Sequence, residues 1–101
     1  MKYNKLVRDK IPQIIKQNGD TPVTHIADNN EYWKKLLEKL QEEVDEFVKD
    51  NNENELADIL EVVYALGDLL NIDQPALETI RKQKAAKRGG FKDKIILDET
   101  N

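Results

Sequence analysis

Apolar residues recur along the middle of the chain in steps of 3, 4 and 7. Trp33, Leu36, Leu37, Leu40, Val44, Phe47 and Val48 form one such series. That spacing draws a single stripe on a long amphipathic helix reaching about residue 49. Asp28, followed three residues later by Glu31, reads as a capping box at its start. Asp50, Asn51 and Asn52 interrupt the pattern, and Asn52 with Glu55 reads as the start of a third helix. There Leu56, Ile59, Leu60, Val62, Val63, Leu66, Leu69 and Leu70 cover an arc too broad for one neighbour, which predicts packing against two partners.

The flanks carry weaker signals. Residues 6–8 read as extended. Asp9 is placed to cap a short first helix, with Pro12 in its first turn, where a missing N–H is harmless. Ile11, Ile14 and Ile15 give that helix an apolar face, and Asn18-Gly19 ends it. Val23-Thr24-His25-Ile26 is short and β-branched and reads as a strand. After Asn71-Ile72, Asp73 caps a fourth helix over 74–88, whose Lys82, Lys84, Lys87 and Arg88 complement the helix dipole. Gly89-Gly90 stops it. Ile95-Ile96-Leu97 reads as a second strand able to pair with residues 23–26, given helices behind it. The predicted fold is therefore all-α: one domain over residues 1–101, an antiparallel bundle of about four helices with a minor two-stranded β element, and a frayed tail at 97–101. The link between the second and third helices is so short that they must be antiparallel neighbours.

Composition narrows the function. Of the 101 residues, 36% are charged and the formal net charge is −4, which argues against binding a nucleic-acid polymer. Acids concentrate in the middle and bases near the two ends. Cysteine is absent, which excludes disulfides and thiolate metal sites, and the one histidine, His25, makes no zinc site alone. No apolar run approaches a membrane span of roughly 18 residues, and Met1 to Lys5 is not followed by the apolar core of a secretory signal. A cytoplasmic protein is expected.

The acids of the middle helices do not all point the same way. At about 100° per residue, Glu43 falls beside the apolar stripe of the second helix and Glu46 further round the same shoulder, whereas Glu42 lies on the solvent side. On the third helix Glu55 falls within the apolar arc and Asp58 at its edge. Glu61 and Asp68 point away. Folding the hairpin at Asn51 brings Glu43 level with Asp58 and Glu46 level with Glu55. Four facing carboxylates repel one another unless a cation sits between them. A hard divalent ion such as Mg²⁺ suits an all-oxygen set.

These residues resemble a known family. Glu42-Glu43-x-x-Glu46 with Glu55-x-x-Asp58 is similar to the EExxE…ExxD signature of the MazG-like, all-α nucleoside triphosphate pyrophosphohydrolases. Residues 3–12, Tyr-Asn-Lys-Leu-Val-Arg-Asp-Lys-Ile-Pro, and Arg88-Gly89-Gly90-Phe91 look like one small branch of that superfamily. The resemblance runs from about residue 3 to 97. It implies Mg²⁺-dependent hydrolysis, with Mn²⁺ as a substitute, of a nucleoside triphosphate or related nucleotide to a monophosphate and pyrophosphate. Glu43, Glu46, Glu55 and Asp58 are the implied metal ligands, and Glu46, or else Glu42, the acid that activates water. The spacer between Glu46 and Glu55 is shorter than is usual in the superfamily, which implies a metal site close to the turn or one with fewer ions. The chain also lacks the cysteines, histidines and extra acids of the histidine-pathway members, which weighs against phosphoribosyl-ATP as substrate.

Lys5 and Arg8 at one end, and Lys87 and Arg88 at the other, are the candidate phosphate contacts. The competing reading is a solvated basic helix end. The broad arc of the third helix predicts a homodimer or higher symmetric oligomer, with the second and third helices near the two-fold axis. The alternative to an enzyme is a helical interaction module whose acidic face binds metal without catalysis.

Overall fold

A computed structural model describes residues 3–101; Met1 and Lys2, the start of the N-terminal stretch discussed above, lie outside the described residues. Four helices follow in order: α1 (Ile11–Gln17), α2 (Asn29–Asp50), α3 (Glu53–Leu69) and α4 (Gln74–Arg88). They form an open four-helix bundle with no strand among the described residues. The two-stranded β element expected from residues 23–26 and 95–97 is absent. Val23 and Ile26 are 97% and 96% exposed, and Ile95, Ile96 and Leu97 are exposed too. A ladder of three or four residues gains too little burial to offset closing a loop of some 70 residues between its strands.

Local capping sets the helix limits. Asp28 accepts from the Glu31 N–H at 2.9 Å, Asn52 from the Glu55 N–H at 3.1 Å, and Asp73 from the Ala76 N–H at 2.9 Å. Each satisfies a backbone donor that the first helical turn leaves free. The box at the start of α2 does not close, because the Glu31 carboxylate turns instead to His25 Nε2, 3.0 Å and 3.1 Å from its two oxygens. Asp9 does not cap α1. Lys10 occupies that position without a side-chain bond, and, after Ile11, Pro12 lies in the first turn. Its fixed φ is enough to start a helix of only two turns.

The heart of the fold is the α2–α3 hairpin. Its link is Asn51, in the left-handed region (φ 53°, ψ 42°), and the cap Asn52. The N-terminal segment runs along one side of the hairpin, and α1 stands across a cleft from it. Lys35 Nζ donates to the Asn4 carbonyl at 2.8 Å and ties that segment down. The core proper is small: Leu36 and Val62 are the buried apolar side chains. The helix α4 touches α3 alone, and thinly. No described helix is long and apolar enough to cross a membrane.

Candidate metal centre

Glu43 sits on the inner shoulder of α2, seven residues after Leu36, so the face that buries Leu36 buries Glu43 as well. It is 6% exposed. Across the hairpin, the first turns of α3 carry Glu55 and Asp58 three residues apart, on one face. One carboxylate oxygen from each of Glu43, Glu55 and Asp58 lies within 4.8 Å of the others. Glu43 Oε2 and Glu55 Oε2 are enclosed and have no hydrogen-bond partner.

Electrostatics follow from that placement. Burial first, and then the neighbouring Glu46 carboxylate, push the Glu43 carboxyl above the usual range; Lys39 pulls the other way. Glu55 is raised by desolvation and then by Glu46. Glu46 thus stands close enough to act on both, as the hairpin level predicts, but its own side chain is exposed, and the converging oxygens belong to Glu43, Glu55 and Asp58.

Cations crowd the rim. Arg8 Nη2 donates to Asp58 Oδ1 at 2.8 Å. Lys5 Nζ reaches Glu42 at 3.3 Å. Glu42 is not on an open solvent face: Lys39 also meets it at 3.5 Å, and Lys39 lies 3.4 Å from Glu43. Lys39 is a site residue the sequence reading missed. Its signal was present in the i, i+3 and i, i+4 spacing to Glu42 and Glu43. A cleft of about 440 Å³ opens beside the acids, between the N-terminal segment with α1 and the hairpin. Val7, Ile14, Leu36 and Val62 give it apolar walls, and Arg8 and Lys39 line it with Glu43 and Asp58. Glu61, which the helical wheel turns away, lines it as well. Lys87 and Arg88 do not reach this cleft. They form, with Lys84, a separate hollow of about 270 Å³ along α4.

The donor set fits a divalent cation. It is all oxygen and anionic, and two of its oxygens lack any other partner. An ion with oxygen ligands at about 2.0–2.6 Å places opposite ligand atoms roughly 4–5 Å apart, in line with the separations here. The acids alone do not choose among such ions.

Comparison with known proteins adds one relative. A 42-residue stretch is 50% identical to an uncharacterized protein of Mycolicibacterium smegmatis, covering 42% of this chain. The match spans 43% of that relative's length. No family model matches the chain, and no solved structure matches it at a significant level.

Proposed function

We propose that this chain is a divalent-cation-binding helical protein, and that its cation serves a nucleotide pyrophosphohydrolase. The observation that carries the reading is the buried Glu43 carboxylate. Its Oε2 has no partner, and one of its oxygens lies within 4.8 Å of an oxygen of Glu55 and of Asp58 across the hairpin. An isolated buried charge is expensive, and a bound cation turns that expense into affinity.

Mg²⁺, with Mn²⁺ as substitute, is the proposed ion. When bound, it would supply charge neutralisation on the phosphates. Glu43, Glu55 and Asp58 would hold it. Glu46, exposed beside them, is free to orient or deprotonate a water. Glu42 is tied to Lys5 and Lys39 and is the weaker candidate. Arg8 and Lys39 stand where they can meet phosphate oxygens, and the apolar cleft has room for part of a nucleoside. The similarity of the acidic signature to the MazG-like enzymes supports the same reaction, and a cytoplasmic setting with a nucleotide substrate. The sparse core supports a homodimer.

A second reading has support of its own. Arg8, Lys5 and Lys39 already pair with the acids inside one chain. A cation here would then hold a non-catalytic interaction module together. Pyrophosphate release separates the two. The wild type is assayed on standard and modified nucleoside triphosphates and phosphoribosyl-ATP with Mg²⁺ or Mn²⁺, beside Glu46→Gln and Asp58→Asn. The enzyme reading expects turnover that falls more than roughly 100-fold in the variants. Cation binding by calorimetry without turnover of any nucleotide would establish the module instead.

A further inference from the structure

The cleft beside the acids has an order along its length. Its two hairpin helices are antiparallel, so both lead away from the turn in the same direction. On α2 the wall runs back from Glu43 through Lys39 and Leu36 to Tyr32. On α3 it runs forward from Asp58 through Glu61 and Val62 to Ala65. Steps of 3 and 4 keep each series on one helix face. At about 1.5 Å per residue, Lys39 and Glu61 stand roughly 5–6 Å beyond the level of Glu43 and Asp58, and Tyr32 roughly 16 Å beyond it.

Each zone admits one kind of group. The acidic end takes a cation, and a cation there draws phosphate oxygens. The far end offers aliphatic walls and the ring of Tyr32, which suit an uncharged planar body. Between the two stands Glu61, which makes no hydrogen bond or ion pair among the described residues. Two cations of the cleft wall are engaged elsewhere, Arg8 by Asp58 and Lys39 by Glu42 and Glu43. The third, Lys10, makes no ion pair with it. A carboxylate only accepts, through two oxygens, and its charge repels phosphate. The group that lies against Glu61 must therefore be neutral and carry O–H or N–H donors. In a nucleotide held by its phosphates at the acidic end, the sugar comes next, and two neighbouring hydroxyls match two carboxylate oxygens.

We infer that Glu61 reads the sugar, accepting from the 2′- and 3′-hydroxyls of a ribose, so that the cleft takes ribonucleotides in preference to 2′-deoxyribonucleotides. The inference rests on the nucleotide reading proposed above and goes beyond it by naming the sugar and the residue that selects it. A polar group left facing a missing hydroxyl discriminates more sharply than an apolar wall does. Glu61 is exposed, so water compensates for part of the loss. The preference is about ten-fold, the scale of one hydrogen bond to a charged group, and not the several decades of a wholly buried acceptor.

The test measures binding, with no turnover. Calorimetry at saturating Mg²⁺ uses nucleoside triphosphate analogues whose α–β bridge is carbon, so that no cleavage intervenes. Ribose and 2′-deoxyribose forms are compared for adenine, guanine, cytosine and uracil. The proteins are the wild type, Glu61→Ala and Asp68→Ala. Asp68 is exposed on α3 and does not line the cleft, so its variant loses the same charge without touching the sugar. The wild type and Asp68→Ala should bind the ribose forms about ten-fold more tightly than the deoxyribose forms. Glu61→Ala should bring the two sugars nearly level, by weakening the ribose forms alone. Equal binding of both sugars by the wild type overturns the proposal, and so does a preference that survives in Glu61→Ala. A loss in Glu61→Ala that follows the base, sparing uracil alone, also overturns it, because Glu61 then meets an amino group of the base. Mg²⁺ bound with no analogue bound overturns the nucleotide reading itself, and this inference with it.

Discussion

Replacing Glu43 by glutamine removes a charge that the fold holds almost wholly out of water. Burial and Glu46 raise the Glu43 carboxyl above its ordinary value. A raised folded-state value means that the fold binds this proton more tightly than the unfolded chain does. Stability without metal is therefore greatest in acid. It falls as pH rises from the ordinary carboxylate range, about 4.5, through the raised value, and stays low above it. Once the pH lies above that raised value the penalty is fully present. A buried oxygen without a partner costs about 1–3 kcal/mol, and the partly exposed Lys39 returns no more than about 1 kcal/mol. In Glu43→Gln the charge is gone, and the new N–H₂ can donate to the neighbouring carboxylates. A net gain of about 1 kcal/mol corresponds to a melting point about 4–8 °C higher for a domain of this size. Saturating metal reverses the order, since a ligand at 100 times its dissociation constant adds about 2.7 kcal/mol to the wild type, while the variant has lost a ligand. The assay is thermal unfolding at fixed protein concentration, at pH 7, in EDTA and in MgCl₂. A variant that melts below wild type in EDTA, or equal stabilisation of both proteins by Mg²⁺, would refute the reasoning.

Three further outcomes are expected. Arg8→Gln frees Asp58 from its 2.8 Å partner, so calorimetry should show Mn²⁺ bound several-fold more tightly and pyrophosphate more weakly; looser Mn²⁺ binding would contradict the competition. Gly67→Ala sets a methyl group 3.0 Å from the Ile72 carbonyl, a backbone atom in a turn held by the Ile72 N–H donating to the Gly67 carbonyl at 2.8 Å. Urea unfolding should show a loss of about 1 kcal/mol, although alanine is the better helix former. Leu36→Ala removes one of the few buried apolar side chains and should destabilise by about 2–5 kcal/mol in the same measurement.

The helices were legible because their causes are local. Asp28, Asn52 and Asp73 each reach a backbone N–H three residues on, and the 3.6-residue periodicity of α2 needs no knowledge of what lies opposite. Two wheels and one short link turned Glu43, Glu46, Glu55 and Asp58 inward together; the oxygens of Glu43, Glu55 and Asp58 do converge, whereas the Glu46 side chain is exposed. What depended on distant partners was not legible. A strand at residues 23–26 is decided by whether another segment arrives to pair with it, and none does. Glu42 looked solvent-facing because the wheel contains only its own helix, whereas Lys5 arrives from 37 residues away. Glu61 entered the cleft wall because the N-terminal segment crosses that side of α3. Lys87 was grouped with the site by charge, and Arg88 by charge and by the resemblance, and neither lines the cleft beside the acids.

The left-handed Asn51 with its neighbour Asn52 works as a phase lock between two gears. Two residues leave no slack to absorb a change in chain length. One inserted residue in the first turn of α3, ahead of Glu55, would advance the helix by about 100° and 1.5 Å relative to its cap. Glu55 and Asp58 would swing away from Glu43 together, with every side chain still present. Deleting a residue would turn them the opposite way. The chain therefore tolerates substitution at this joint more readily than any change of spacing. The angular register between its two central helices, more than the identity of any one acid, is what the short joint preserves.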